Sequence, residues 1–282
     1  MTKTLPLPLQ VALICERLKL PHHGFFYELM ENSQKRFFYT GVVSWSQVEE
    51  SYQKDLEQGR TWIDPTHPWY PDSFRGIDYP PHVLRMEGRP CWQNNICLSV
   101  VGSREVHRDY LLWMRLHLAP VVQEEGLVTI SGGARGVDQE VHQISLQAGL
   151  PTVVLLPSGL DQIYPREVLN LRDKILRSGG ALLSEYGSQV EMKKHFFQQR
   201  NRLISALGDA LLIIQAGEKS GTGITAQYAA DQGKSLYVLP AHPMDVASRG
   251  NLRLLGEGAT MVRDRMDLKL FVDLHRTQHH YP

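Results

Sequence analysis

ICLSVVGSR at residues 96–104, LVTISGGARG at 127–136 and ALLIIQAGEKSGTG at 210–223 each run an apolar strand straight into small residues. In a parallel α/β sheet this is where the chain leaves the carboxyl end of a strand and turns into a helix, with backbone N–H groups left facing a shared crevice. Three such junctions predict an anion-binding rim along one edge of a sheet.

Outward from these junctions the pattern repeats as strand, loop, helix. Strands are expected at Ile96–Val101, Val128–Ser131, Thr152–Leu156, Ala181–Ser184, Ala210–Gln215, Leu236–Leu239 and Thr260–Val262. Their continuous apolar character, without in–out alternation, is what a sheet covered on both faces requires. Helical spacing follows, as in Val137, Val141, Ile144 and Ala148. The fold class is therefore α/β, a doubly wound, mostly parallel sheet.

Ahead of it, Leu9–Ser33 has helical apolar spacing (Val11, Ile14, Leu18), and Val43–Gln58 reads as a second helical stretch opened by Ser44 or Ser46. The following segment holds five prolines between Pro65 and Pro81 with interleaved aromatics, an extended connector with room for a short strand or two. The expected organisation is a small helical N-terminal module over residues 1–65, a large domain over 66–275 whose first part, 66–95, leads into the sheet, and a tail over 276–282.

Composition narrows the function classes. The chain has 282 residues, 42% hydrophobic, with 30 basic and 30 acidic residues, so no global field draws it to polyanions and nucleic-acid binding would need a local patch. No apolar run approaches the roughly 18 residues of a membrane span, and MTKTLPLPLQ lacks a signal-peptide core, so the expected location is the cytoplasm without membrane contact. Cys15, Cys91 and Cys97 lack metal-ligand spacing, and the histidine pairs His22-His23 and His279-His280 adjoin no further ligand, so neither metal nor cofactor is expected and both pairs read as solvated surface. Gly132-Gly133-Ala134-Arg135-Gly136 is not a dinucleotide fingerprint, and there is no phosphate-loop G-x-x-x-x-G-K-[ST].

Cations gather near the junctions. Arg104 follows the first strand, Arg135 sits in the second glycine loop, and KKHFFQQRNR at 193–202 packs four Lys/Arg and His195 around Phe196 and Phe197. Phosphates need cations and unpaired bases need flat apolar surfaces, so this mixture suits single-stranded nucleic acid. As a pair the phenylalanines read as core residues opening a helix, with one ring able to face outward. Arg200-Asn201-Arg202 precedes LISAL and could place guanidinium groups at a helix start, where they oppose the dipole and call for an anion.

VGSR at 101, SGGARGVD at 131, LPSGLDQIYP at 156, LLSEY at 182, FQQRNRLISAL at 197 and SGTGITAQYAADQGK at 220 resemble, in order and spacing, the DNA-processing protein A (DprA/Smf) family. The likeness runs from about residue 70, where YPDSFRGIDYPPHVLRMEG begins, to 262. It implies a Rossmann-like DNA-binding domain, and a protein of bacterial natural transformation that binds incoming single-stranded DNA, protects it and loads a RecA-type recombinase, acting as a homodimer. It also implies site residues. Gly102, Ser103 and Arg104 match a phosphate-holding loop; Arg200, Asn201 and Arg202 match an RNR motif, preceded by Lys194 and Phe197 at its basic and base-contacting positions. Gly132, Gly133 and Arg135 match a loop facing the same pocket, as do Gly221 and Thr222, though Gly223 replaces the family's more usual apolar residue. No C-terminal winged-helix domain is expected after HRTQHHYP.

Two other readings stand beside this one. Related glycine-loop phosphoribohydrolases of the LOG type use a glutamate where this chain has Gln227, and an amide cannot act as general base. A mononucleotide-binding module would keep the anion pocket without needing the RNR aromatics. No catalytic residue is assigned. Asp138 and Asp161 are expected to fix loops through backbone hydrogen bonds, and Glu185 to partner an arginine.

Overall fold

A computed structural model of the chain describes residues 5–20 and 22–279. Among the described residues nine strands form one sheet: β1 (Arg60–Ile63), β2 (Leu84–Gly88), β3 (Cys97–Val101), β4 (Val128–Ser131), β5 (Thr152–Leu155), β6 (Ala181–Ser184), β7 (Ala210–Ile213), β8 (Ser235–Val238) and β9 (Thr260–Met261). Their order is β1-β2-β6-β5-β4-β3-β7-β8-β9. From β3 the chain winds outward through β4, β5 and β6, then returns to lay β7, β8 and β9 on the other side, all parallel. The order reverses between β3 and β7, which is where a doubly wound sheet opens a crevice at its carboxyl edge.

Alternation inside the strands explains why they read as continuously apolar. Cys97 and Val101 of β3, with Leu211 and Ile213 of β7, pack into one core; Leu98 and Val100, with Ala210 and Leu212, pack into another on the opposite face. Successive side chains point to opposite faces, and helices cover both. Each buried valine, leucine or isoleucine among them contributes roughly 1.5–3 kcal/mol.

The seven expected strands are present, shifted by a residue or two: β3 starts at Cys97 and β8 spans Ser235–Val238. The proline-rich connector supplies β2, which pairs antiparallel with β6, and β1 pairs antiparallel with β2. Thus Arg60–Ile63, placed by the sequence reading at the end of the N-terminal module, is the sheet's edge strand.

The expected Leu9–Ser33 helical stretch is two helices, Leu7–Leu18 and Gly24–Glu31, because the backbone turns left-handed at Lys19 (φ 54°) and ends the first. Two further helices follow, Ser33–Tyr39 and Trp45–Glu57; Ser44 occupies the cap position of the latter without a capping hydrogen bond. A third core, with Val11, Ile14, Phe26 and Leu29, includes Trp62 of β1 and Val83 beside β2, so the module is packed onto the sheet edge. At the other end the Arg265–His279 helix runs into the expected tail, and His280–Pro282 lie outside the described residues.

Candidate functional site

The glycine loops after β3 and β4 meet at the carboxyl edge, but most of what their amides do is internal. Gly132 N–H and Ala134 N–H donate to Asp138 Oδ2 (3.2 and 3.3 Å), and Ser103 N–H donates to the Gln215 carbonyl (2.8 Å). The expectation of free, anion-seeking amides is corrected at Gly132 and Ser103: a buried carboxylate and a neighbouring loop already satisfy them. Asp138 has the loop-fixing role expected of it. Close approach explains the glycines. A Cβ on Gly132 would stand 1.6 Å from Arg200 Nη1, and one on Gly136, at φ +88°, would stand 2.3 Å from the Ser103 carbonyl oxygen.

The arginines of the RNR stretch are not at a helix start. Their helix runs Lys194–Leu207, which puts Arg200, Asn201 and Arg202 in its middle turns. Arg200 is buried and donates from Nη1 to the Leu155 carbonyl at the end of β5 (2.8 Å). Burial lowers its pKa to about 10 while the nearby Asp138 charge opposes that fall. Burial likewise raises the Asp138 carboxyl, and Arg200 opposes it. Arg202 is also buried, in a two-point ion pair: Nη2 to Glu185 Oε2 at 2.6 Å and Nη1 to Oε1 at 2.9 Å. Its Nε and Nη2 donate to the Tyr79 carbonyl (3.1 and 2.6 Å). Glu185 thus has the arginine partner expected of it. Asn201 Nδ2 lies 3.5 Å from the Gly221 carbonyl, joining this helix to the start of the Gly221–Asp231 helix, which Ser220 caps by accepting from Gly223 N–H. Thr222 is buried there, while Gly221 is exposed.

Around this buried base stands an exposed rim. Arg104 is exposed, with its guanidinium carbon 5.4 Å from the centroid of the Phe197 ring, and Tyr164 meets that ring edge-on at 5.6 Å. Tyr186 stacks on Phe196 at 4.0 Å and 22°, with Lys193 Nζ 5.8 Å from the Phe196 centroid. Lys194, His195 and Arg135 are exposed. The reading of the phenylalanine pair as core is corrected: both rings are half-buried, Phe196 against Tyr186 and Phe197 against Tyr164 and Arg104. Sequence reasoning quoted the stretches holding Tyr164 and Tyr186 but gave these tyrosines no role; an aromatic ending a motif loop was the available signal.

Other expectations resolve locally. Asp161 uses its carboxylate on Lys54 and Arg60 (2.7 and 2.6 Å), not on its own loop's backbone. His22 is exposed, whereas His23 is buried against Tyr70 (Tyr70 Oη to His23 Nε2, 3.2 Å), so that pair is only half solvated. His280 of the second pair lies outside the described residues. Burial pushes the Cys15 and Cys91 thiols up to about 12. Among the described residues no cluster of three His, Cys, Asp or Glu could hold a metal, and no helix is long and apolar enough to cross a membrane.

A family model described as DNA recombination-mediator protein A matches residues 61–273, from β1 to the last helix. The chain belongs to this family. Protein Smf of Escherichia coli is 32% identical over 221 residues; the match covers 75% of this chain and 59% of that relative, so the chain spans less than two thirds of its length. The X-ray structure of DNA processing protein A from Streptococcus pneumoniae superposes with a TM-score of 0.75 at 25% identity, covering 95% of this chain and 94% of that one. The Helicobacter pylori DNA processing protein A, described for its unique single-stranded DNA binding mode, gives a TM-score of 0.67 at 29% identity over 76% of this chain and 96% of its own. The family match begins at the edge strand, while the pneumococcal structure also covers the helical module.

Proposed function

We propose that this protein binds single-stranded DNA in the cytoplasm during natural transformation, protects the incoming strand and loads a RecA-type recombinase onto it. One observation carries the reading: Arg104 over Phe197, flanked by Tyr164, beside the Tyr186–Phe196 stack with Lys193 and Lys194. Exposed cations beside half-buried rings offer phosphate contacts and stacking surfaces within one stretch of edge. Gly102, Arg135 and Gly221 border the same edge and complete the proposed contact surface, while Thr222, Gly132, Gly133, Arg200 and Arg202 hold its shape. The single-strand binding described for the Helicobacter relative supports this assignment.

Homodimerisation would place two such rims on one strand and raise affinity through effective concentration. Met261, Met266, Leu270 and Leu274 are 48–62% exposed on β9 and the last helix, and they are the apolar side chains we assign to the dimer surface. Of the apolar residues on the preceding helix, Leu254 is core and Leu252 and Leu255 are half-buried.

Fluorescence anisotropy of labelled oligo-dT, titrated across salt with the matching duplex as competitor, tests the reading. Tight binding that falls with salt and that duplex competes for poorly is expected. Failure to bind at low salt overturns it. Recombinase loading is tested separately, by whether the protein shortens the lag of RecA-type filament growth on single strands already coated by a single-strand-binding protein.

A further inference from the structure

The two aromatic-bearing loops of the rim are built as one bonded unit. Ser184 Oγ, at the end of β6, accepts from Tyr186 N–H (3.0 Å) and donates to the Ser158 carbonyl (2.7 Å), while Ser158 Oγ accepts from Tyr164 N–H (3.1 Å). Gly159 N–H donates to the Val190 carbonyl and Asp161 N–H to the Ser188 carbonyl, both at 2.8 Å. A Cβ on Gly159 would stand 2.2 Å from the Gly187 carbonyl oxygen, so the two loops lie back to back.

The N-terminal side grips this unit through a buried ionic cluster. Asp55, on the Trp45–Glu57 helix and fully buried, accepts from Arg60 Nη1 (2.8 Å), Trp62 Nε1 (2.7 Å) and Ser188 Oγ (2.5 Å). Arg60 Nη1 also reaches Asp161 Oδ1 (2.6 Å), its Nη2 reaches the Leu160 carbonyl (3.3 Å), and Lys54 Nζ closes on Asp161 Oδ2 (2.7 Å). Glu87 adds a carboxylate 3.8 Å from Arg60 Nε. A buried ion cluster is seldom more stabilising than apolar packing of the same volume, but its fixed hydrogen-bond geometry holds what it touches in one place. Here it touches both loops, at Leu160, Asp161 and Ser188.

We infer that Asp55 and Arg60 are positioning residues for the DNA-binding rim: through Asp161 and Ser188 they hold Tyr164 and Tyr186 where these meet Phe197 and Phe196. This rests on the single-strand reading above. A strand would then lose affinity when the grip loosens, although none of the gripping residues contacts it, because only the fraction of molecules with both loops in place binds well. The number of phosphates neutralised would not change.

Two mild variants test this, Ser188→Ala, which removes one hydrogen bond and leaves Asp55 its other two donors, and Asp161→Asn, which removes the charge shared by Lys54 and Arg60. In each, oligo-dT affinity should fall, about two- to tenfold for Asp161→Asn as the competent fraction drops, with the log–log salt slope kept at the wild-type value. The ring signals of Tyr164 and Tyr186 in NMR spectra of the DNA-free protein should shift in both variants. Wild-type affinity in folded variants overturns the inference, and so does a slope reduced by about 0.7, which would mean that a phosphate contact had been lost. If the wild-type protein binds no oligonucleotide, the DNA reading falls by itself, and unmoved tyrosine signals would then overturn the positioning role independently.

Discussion

The Lys194–Leu207 helix carries two kinds of cation. In its first turn Lys194 is exposed beside His195 and the half-buried Phe196 and Phe197; two turns on, Arg200 and Arg202 are buried, one on the Leu155 carbonyl and facing Asp138, the other locked to Glu185 and the Tyr79 carbonyl. Sequence places all of them in one basic-aromatic run, yet within this helix it is the first turn that offers charge to a ligand, alongside the exposed Lys193, Arg104 and Arg135. The buried pair shapes the edge on which the exposed group sits. Such a division of labour predicts opposite signatures on mutation: base residues should show in stability, rim residues in binding.

The base should give the largest effect. Arg202→Ala leaves the Glu185 carboxylate without its ion-pair partner in a site where it is 14% exposed, and unmeets the Tyr79 carbonyl. Removing one member of a buried pair costs about 3–5 kcal/mol, which a urea or guanidinium melt would read directly. Pairing Arg202→Met with Glu185→Leu should recover part of that loss by removing both charges. A single variant as stable as wild type would mean that Arg202 belongs with the rim, and any binding defect it showed could then be assigned to DNA contact.

A second separation of base from rim comes from pH. His142, fully buried on the Val137–Gln147 helix, has Nδ1 2.7 Å from Thr152 Oγ1 at the start of β5, and burial lowers its pKa to about 3; His23 and His82, in the contact between the N-terminal module and the connector, fall to about 4 for the same reason. Each folded-state value lies below the unfolded 6.5, so the unfolded chain binds protons that the folded chain refuses. Stability is therefore full above about pH 6.5 and falls as pH drops toward 4 and below. Each histidine contributes about 2 kcal/mol of lost stability by pH 5, and His142→Leu should flatten the slope by about one proton. An unchanged slope in that variant would place the His142 proton uptake elsewhere.

How much of this was legible beforehand follows the same division. The parallel strands declared themselves because both faces are covered, leaving apolar runs such as CLSVV and ALLI. Strand β1, at the end of the expected N-terminal module, went unread and β2 was expected only as an unplaced short strand of the connector, because RTWI and LRMEG carry Arg60, Arg85 and Glu87, charges that are buried only because partners from distant segments neutralise them. Burial of Arg200 and Arg202 was hidden for the same reason: a guanidinium reads as exposed until its long-range partners, Leu155, Tyr79 and Glu185, are known. The rim cations needed no partner, and their place at the strand ends was readable from the loops alone.

Arg104→Ala is the variant that should barely touch the fold. Arg104 is exposed and its contact with Phe197 is a single cation–π approach at 5.4 Å, so the stability change should stay within about 0.5 kcal/mol. Binding should respond far more, by about tenfold in oligo-dT affinity if one phosphate contact and one ring-supporting contact are lost together, and the log–log salt slope should shrink by about 0.7. Phe197→Leu provides the counterpart: it removes a stacking face while leaving the phosphate count alone, so affinity should fall with the salt slope unchanged. The two variants divide the rim into a charge component and a stacking component. If Arg104→Ala instead lowers stability as much as Arg202→Ala while leaving the salt slope intact, the contrast between exposed rim and buried base fails at an arginine that nothing buries.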